Sequence, residues 1–295
     1  MRVPAFFGPI AATIGGIGVL CLMDGLVKYL SAFHATPQVV AMRYGFGALA
    51  ALAVFLAAGT PWPRRTALRP HMWRAVVIFI TATTFFYALA TLPLAVALSL
   101  SFTAPIFIAL LARLALKERP GGPVVAALAL GFGGVLVVLW DELGRAGPAT
   151  SLGIAAALVS AVSYAISMIT LKTRAALDPV PSIVLLQNAF TLVLAAPAAA
   201  MVWTAPTAME LTLFAAVGVL GTTGHLALAF AYGRAEASRL GVLEYTAFVW
   251  AALIGLIAFG EVPSPITLLG AAFIVAGALL VGRSRTAEPE AEIGP

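Results

Sequence analysis

Asp24 and Lys28 stand four residues apart in an otherwise apolar run, so a helix would carry them on one face. Ionisable groups in such runs cost several kcal/mol in hydrocarbon, which makes each a functional candidate. Arg43 begins the next apolar run close to where the first one ends, and this predicts an Asp24–Arg43–Lys28 triad at one depth. Such a triad can fix the packing of two helices. Equally, the planar fork of Arg43 suits a substrate carboxylate. The amides of Gln187 and Asn188 both donate and accept, which suits a zwitterion or a contact between helices. Glu244 and His225 each lie within apolar runs. Either can take up a proton, because a buried carboxyl or imidazole can titrate near neutral pH. Their packing alternatives are an ion pair between Glu244 and Arg239, and a hydrogen-bonded core role for His225.

Hydroxyl stripes flank two tyrosines. Thr81, Thr84 and Thr91 neighbour Tyr87, and Ser160, Ser163, Ser167 and Thr170 neighbour Tyr164. Their spacing puts each stripe on one helix face, suited to close packing or to wetting a cavity. Trp250 is mid-run and can stack on an aromatic substrate or pack on a neighbouring helix. An intramembrane enzyme acting on lipid or isoprenoid substrates would need Asp24 or Glu244 beside His225. Their expected depths, Asp24 outer and Glu244 inner, disfavour that reading. No Gly-x-x-x-x-Gly-Lys-[Ser/Thr] loop, His-Glu-x-x-His helix or Gly-x-Ser-x-Gly turn occurs. The three histidines are scattered and Cys21 is the one cysteine, so neither a metal centre, a disulfide nor any other cofactor is expected.

These groups must be positioned by membrane-spanning helices. Of 295 residues, 62% are hydrophobic and 10% charged, against about 25% charged in soluble domains. The mean hydropathy is +1.04. Ten runs are long enough to span: Phe6–Tyr29, Gln38–Ala58, Met72–Leu92, Ala95–Leu116, Pro123–Trp140, Ser151–Leu171, Val180–Trp203, Leu211–Tyr232, Leu240–Phe259 and Ile266–Val281. The first run is longer than a secretory signal core and lacks a nearby small-x-small cleavage site, so it reads as a span. The tail from Arg283 is acidic, contains proline and is expected to be disordered. Thirteen of the seventeen Lys and Arg residues fall in the even-numbered connections and the termini, counting Arg74, which stands just inside the third run from that side. That asymmetry places both termini in the cytoplasm, and it makes the net charge of +5 a topology signal with no bearing on nucleic acid.

The chain also repeats itself. Leu98–Pro120 lies over Gly241–Pro263 without a gap, aligning Phe102 with Tyr245, Thr103 with Thr246 and Glu118 with Glu261. One residue of insertion then pairs Lys28 with Lys172, Pro37 with Pro181 and Arg43 with Gln187. Five spans per copy is an odd number, so the second copy must be inverted in the membrane. Inverted repeats are a recurrent build for secondary transporters, with the substrate held near the midplane between the copies. The expected fold is therefore all-α, with ten helices in two repeats covering residues 1–141 and 150–283. Glu118 and Glu261, each two residues before a proline, are expected to fix turns. Pro105 and Pro197, with the glycines at 131, 133, 134, 218, 221 and 224, are expected to permit kinks or close helix approach.

Ten spans in two halves, with the Glu-x-Pro punctuation after spans four and nine, resemble the drug/metabolite transporter superfamily. Within it the chain is similar to the EamA-type ten-helix exporters, the YddG-type amino acid exporters among them. The resemblance covers about Phe6 to Val281. It implies a basket of helices around a central cavity, and export of amino acids, aromatic ones included, or related metabolites through an inner membrane. The expected partners are a small-molecule substrate, which the resemblance implies, the lipid bilayer, which composition requires, and protons, for which Glu244 and His225 are the candidate carriers. It specifies neither a monomer nor a homodimer.

Overall fold

In the computed structural model, residues 7–92, 94–118, 120–143, 148–260 and 265–283 are described. Glu261, Pro263 and the tail beyond residue 283 lie outside them, as do Arg2, Arg119, Arg145 and Arg285. Twelve α-helices follow one another: α1 Phe7–Leu30, α2 Thr36–Ala57, α3 Arg65–Thr91, α4 Leu94–Ser101, α5 Ala104–Ala115 and α6 Gly122–Leu143, then α7 Pro148–Ala175, α8 Val180–Met201, α9 Ala208–Tyr232, α10 Ala237–Leu243, α11 Ala247–Phe259 and α12 Pro265–Arg283. A 3₁₀ turn, Glu244–Thr246, joins α10 to α11. Among the described residues, seven helical stretches are long and apolar enough to cross a membrane, and Ala104–Ala115 and Gly122–Gly134 are shorter apolar ones.

Local chemistry sets several helix starts. Pro37 and Pro181, repeat equivalents, occupy the first turns of α2 and α8, where the missing N–H costs nothing. Thr207 and Glu210 cap α9 reciprocally: the Thr207 Oγ1 accepts from the Glu210 N–H, and Glu210 Oε2 accepts from the Thr207 N–H at 2.7 Å.

The packing comes in exchanged pairs. α1 lies on α9 and α7 on α3, while α2 packs on α8 and α6 on α12. Equivalent bonds recur with it. Lys28 Nζ donates to the Leu92 carbonyl at 3.1 Å, and Lys172 Nζ to the Ala235 carbonyl. The expected spans four and nine are both interrupted, at Phe102–Thr103 and at Tyr245–Thr246. At each break the threonine hydroxyl bonds three residues back, Thr103 to Leu100 O at 2.8 Å and Thr246 to Leu243 O at 2.7 Å. Pro105 stands beside the first break as expected, but Phe248 holds its place beside the second. Pro197 interrupts nothing, since α8 continues through it.

The turn role expected of Glu118 needs correction. Its carboxylate reaches the other half of the chain, where Oε1 accepts from the Ala237 N–H at 3.1 Å and Oε2 from the Ser238 N–H at 3.0 Å. These are orphan donors at the start of α10, and the carboxylate satisfies them. The hydroxyl stripes knit α3 to α7: Thr81 Oγ1 lies 2.9 Å from Ser163 Oγ, and Ser160 donates to the Thr81 carbonyl at 3.1 Å.

Candidate functional site

The helix breaks face a cavity of about 160 Å³ among α1, α2, α3, α4, α7 and α9. Most of its wall is apolar and aromatic, with Phe85, Phe86 and Phe102 prominent. Asp24, Arg43, Tyr44, Tyr164, His225 and Glu244 supply charge and hydrogen-bonding capacity. Five of these were expected from the sequence; Tyr44 was not.

Arg43 is the best-held group. Only 1% exposed, it donates from Nη1 to Asn188 Oδ1 at 2.7 Å, and its guanidinium carbon sits 4.0 Å from the centre of the Tyr44 ring. Asn188 is oriented by its own donation from Nδ2 to the Val184 carbonyl, 2.8 Å away and one turn back along α8. Room for the guanidinium comes from Gly221: a Cβ there would lie 2.6 Å from Arg43 Nη2. Nη2 itself has no hydrogen-bond partner among the described residues, and neither does Asp24 Oδ1. The expected triad is thus dispersed, because Lys28 donates to the chain end of α3 while Asp24 and Arg43 share the cavity.

Glu244 sits at the helix break, where its Oε1 accepts from Tyr164 OH at 2.9 Å and from Tyr232 OH at 3.4 Å. The expected alternative, pairing with Arg239, is replaced by these two phenols. His225 lines the cavity with Nδ1 unpartnered among the described residues. Asp24 and Glu244, expected at different depths, both line one cavity with His225.

Tyr87, Gln187, Asn188 and Trp250 are not among the residues lining the cavity. Trp250 packs into the gap left by Gly18, where a Cβ would lie 2.8 Å from the indole. Asn188 acts through Arg43. Gln187 is buried with both amide atoms unpartnered among the described residues. Tyr87 offers its carbonyl to Thr91 Oγ1 at 2.8 Å.

Two polar clusters escaped the sequence reading, because their members lie in turns or in another helix. At one end of the bundle, His34 Nδ1 lies 2.8 Å from Thr204 Oγ1, and Gln38 bonds Thr204 through donor and acceptor alike. At the other, basic end, His71 Nε2 lies 3.0 Å from Asp178 Oδ2, which also accepts from Arg174 Nε at 2.7 Å. Arg74, counted above only as a topology marker, is 1% exposed. Its one legible signal is the spacing of three from His71, which puts the two on one face of α3.

In chemical terms, the cavity offers an open guanidinium N–H and an open carboxylate oxygen to a ligand. Arg43 and Asp24 act on each other electrostatically, but a buried polar atom without a hydrogen bond is still costly, so a small molecule with complementary charges would be drawn to the two open atoms. Comparison with known proteins agrees with a ligand-carrying role. The chain is 29% identical over 282 residues to a riboflavin transporter of Rhizobium johnstonii, covering 95% of this chain and 92% of the relative. It is 26% identical over 258 residues to an S-adenosylmethionine uptake transporter of Rickettsia bellii, covering 88% and 87%. With a pseudopaline exporter, CntI, of Pseudomonas aeruginosa it shares 27% over 266 residues, covering 90% and 92%. A protein of known crystal structure matches the fold with a TM-score of 0.77 at 20% identity, over 96% of this chain and 99% of that one. The profile of the EamA-like transporter family matches residues 8–140 and again residues 151–283. Matched twice in this way over most of its length, the chain belongs to the EamA-like transporter family and is a multi-pass membrane transporter.

Proposed function

We propose that the protein is a secondary exporter of amino acids, or of closely related metabolites bearing an amino-carboxylate group, in a bacterial-type inner membrane. It has ten spans, the broken helices α4–α5 and α10–α11 each counting as one, and both termini are cytoplasmic. Residues 1–141 and 150–283 are inverted copies that rock against each other around the central cavity. The exchanged helix packing, the paired lysine bonds and the paired helix breaks support this arrangement.

One observation carries the substrate class. Arg43 is held rigidly by Asn188 with one nitrogen left open, in the same cavity as an open oxygen of Asp24. A carboxylate at Arg43 and an ammonium at Asp24 would complete both. Phe85, Phe86 and Phe102 favour a ligand with an aromatic ring. S-adenosylmethionine, named in the Rickettsia relatives, also carries an amino-carboxylate. Glu244 and His225 are the proton carriers in this reading. Only a ligand with different affinity for the two states can bias them.

Counterflow in liposomes tests the proposal. Vesicles loaded with unlabelled amino acid and given labelled amino acid outside should accumulate label above empty vesicles, with aromatic amino acids leading. Absence of flux for all twenty would overturn the assignment of substrate. Uptake that never saturates would indicate a passive pore.

A further inference from the structure

At the basic end of the bundle a wider cavity, about 710 Å³, opens between the α2–α3 connection and the α7–α8 turn. Arg64, His71, Arg174, Asp178 and Ser182 make its polar wall. The cluster on Asp178 uses part of that capacity and leaves part open. His71 Nδ1 and Ser182 Oγ are buried and have no partner among the described residues.

Deeper in, the same pattern intensifies. Arg74 is buried, and its Nε and Nη1 are unpartnered among the described residues. Asp178, the carboxylate at this mouth, is taken by His71 and Arg174. Helices α3 and α8 pack together, and both start at the basic end. At 1.5 Å per residue, Arg74 lies about 4.5 Å deeper than His71, and Gln187 about 7.5 Å deeper than Ser182. The guanidinium and the unpartnered amide of Gln187 therefore stand within one helical turn in depth. Both Arg43 and Arg74 act electrostatically on Tyr44 and on His225, which line the central cavity. Arg74 thus lies between the mouth and that cavity.

A buried guanidinium ordinarily has a counter-charge, because desolvation without one costs several kcal/mol. Snorkelling into water is ruled out by the burial of Arg74. What it lacks is an acceptor with negative charge. The basic residues at the mouth would draw such a group inward.

We propose that Arg74, with Gln187 at a similar depth on the packed helix α8, forms a second anion site between the basic mouth and the central cavity, and that its ligand is the carboxylate of the transported molecule on its way to or from Arg43. This rests on the reading that the substrate docks a carboxylate at Arg43. The test uses the full-length protein in nanodiscs, following thermal unfolding while sodium acetate, sodium glutarate, sodium chloride or sodium phosphate is titrated at constant ionic strength. In the unaltered protein, acetate and glutarate raise the midpoint saturably, and chloride and phosphate do so several-fold more weakly. Arg74→Gln weakens the apparent acetate affinity about tenfold. Arg43→Gln leaves a residual acetate response, and adding Arg74→Gln abolishes it. Arg74→Lys, which keeps the charge, loses affinity by a smaller factor and serves if the glutamine variant does not fold. An acetate response untouched by either Arg74 variant but lost in Arg43→Gln overturns the second site and leaves the proposed function standing. Chloride or phosphate matching acetate makes this a site for free inorganic anions and overturns the substrate assignment. No carboxylate response in the unaltered protein overturns both readings.

Discussion

Replacing Asn188 with leucine removes the acceptor that holds Arg43 while keeping the forked outline of the side chain. The bond is 2.7 Å long and its two side chains are among the most buried in the molecule. Two magnitudes compete. A neutral hydrogen bond between helices in a membrane averages about 0.6 kcal/mol. One with a charged donor is worth about 1.5–3 kcal/mol, because the deserted guanidinium keeps its desolvation cost. The second applies, since Nη2 is already open and the variant would leave Nη1 open too. Asn188→Leu should therefore destabilise the fold by about 2 kcal/mol, roughly thirtyfold in the folded-to-unfolded ratio. Asn188→Asp separates stability from function. Its carboxylate would pair with Arg43 internally, preserving the fold while competing with the substrate. Reversible unfolding in mixed micelles, followed by tryptophan fluorescence, measures the first effect, and counterflow measures the second. A leucine variant costing less than about 0.5 kcal/mol, or an aspartate variant that transports normally, would refute the view that Asn188 positions Arg43 for a ligand.

Gly221→Ala places a methyl 2.6 Å from Arg43 Nη2 and 2.8 Å from Met23 Sδ, so the guanidinium must shift. Overpacking of this kind costs about 1–3 kcal/mol, and the KM for counterflow should rise about tenfold. Glu118→Ala removes both acceptors at the start of α10. A lost helix cap costs about 0.5–2 kcal/mol, which should appear as faster amide exchange in residues 237–243. Glu244→Gln keeps an oxygen for Tyr164 and Tyr232 but cannot hold a proton. Its transport should lose the share of its pH dependence that Glu244 carries and keep that of His225, and a pH profile identical to that of the unaltered protein would remove Glu244 from coupling.

Much of the framework was legible in the residues. The alignment of Lys28 with Lys172 and of Thr103 with Thr246, read from spacing alone, returns as two pairs of equivalent bonds. A duplicated segment keeps the side chains that its local geometry needs, so identity at those positions carries structural meaning. What spacing could not convey was contact across distant helices. The second helix break has no proline to announce it. Glu118 caps a helix more than a hundred residues away, and the turn it precedes gave no hint of that. Arg74 was hidden by its setting, because a base near the end of an apolar run looks like a flank until the neighbouring helix is seen to cover it. Gln187 and Asn188 drew equal attention as adjacent amides, yet one turns to Arg43 and the other does not. Which of two neighbours faces a partner depends on the rotation of α8.

The exchanged pairing of α1 with α9 and α7 with α3 has an energetic corollary. If the halves were identical, a conformer open to one side and its counterpart open to the other would be built from the same contacts and would be equal in free energy. Mismatched positions tilt that balance, among them Arg43 against Gln187, His34 against Asp178 and His71 against Phe214. His34 meets the tilted Phe214 ring at 5.3 Å and lies 3.4 Å from Glu210 Oε2, where Asp178 binds both His71, at 3.0 Å, and Arg174, so both seams carry a carboxylate but only one holds a guanidinium. In the proposed alternating cycle the resting preference is set by such differences between the copies, and ionic strength should weaken the Asp178 seam, with its guanidinium, more than the other.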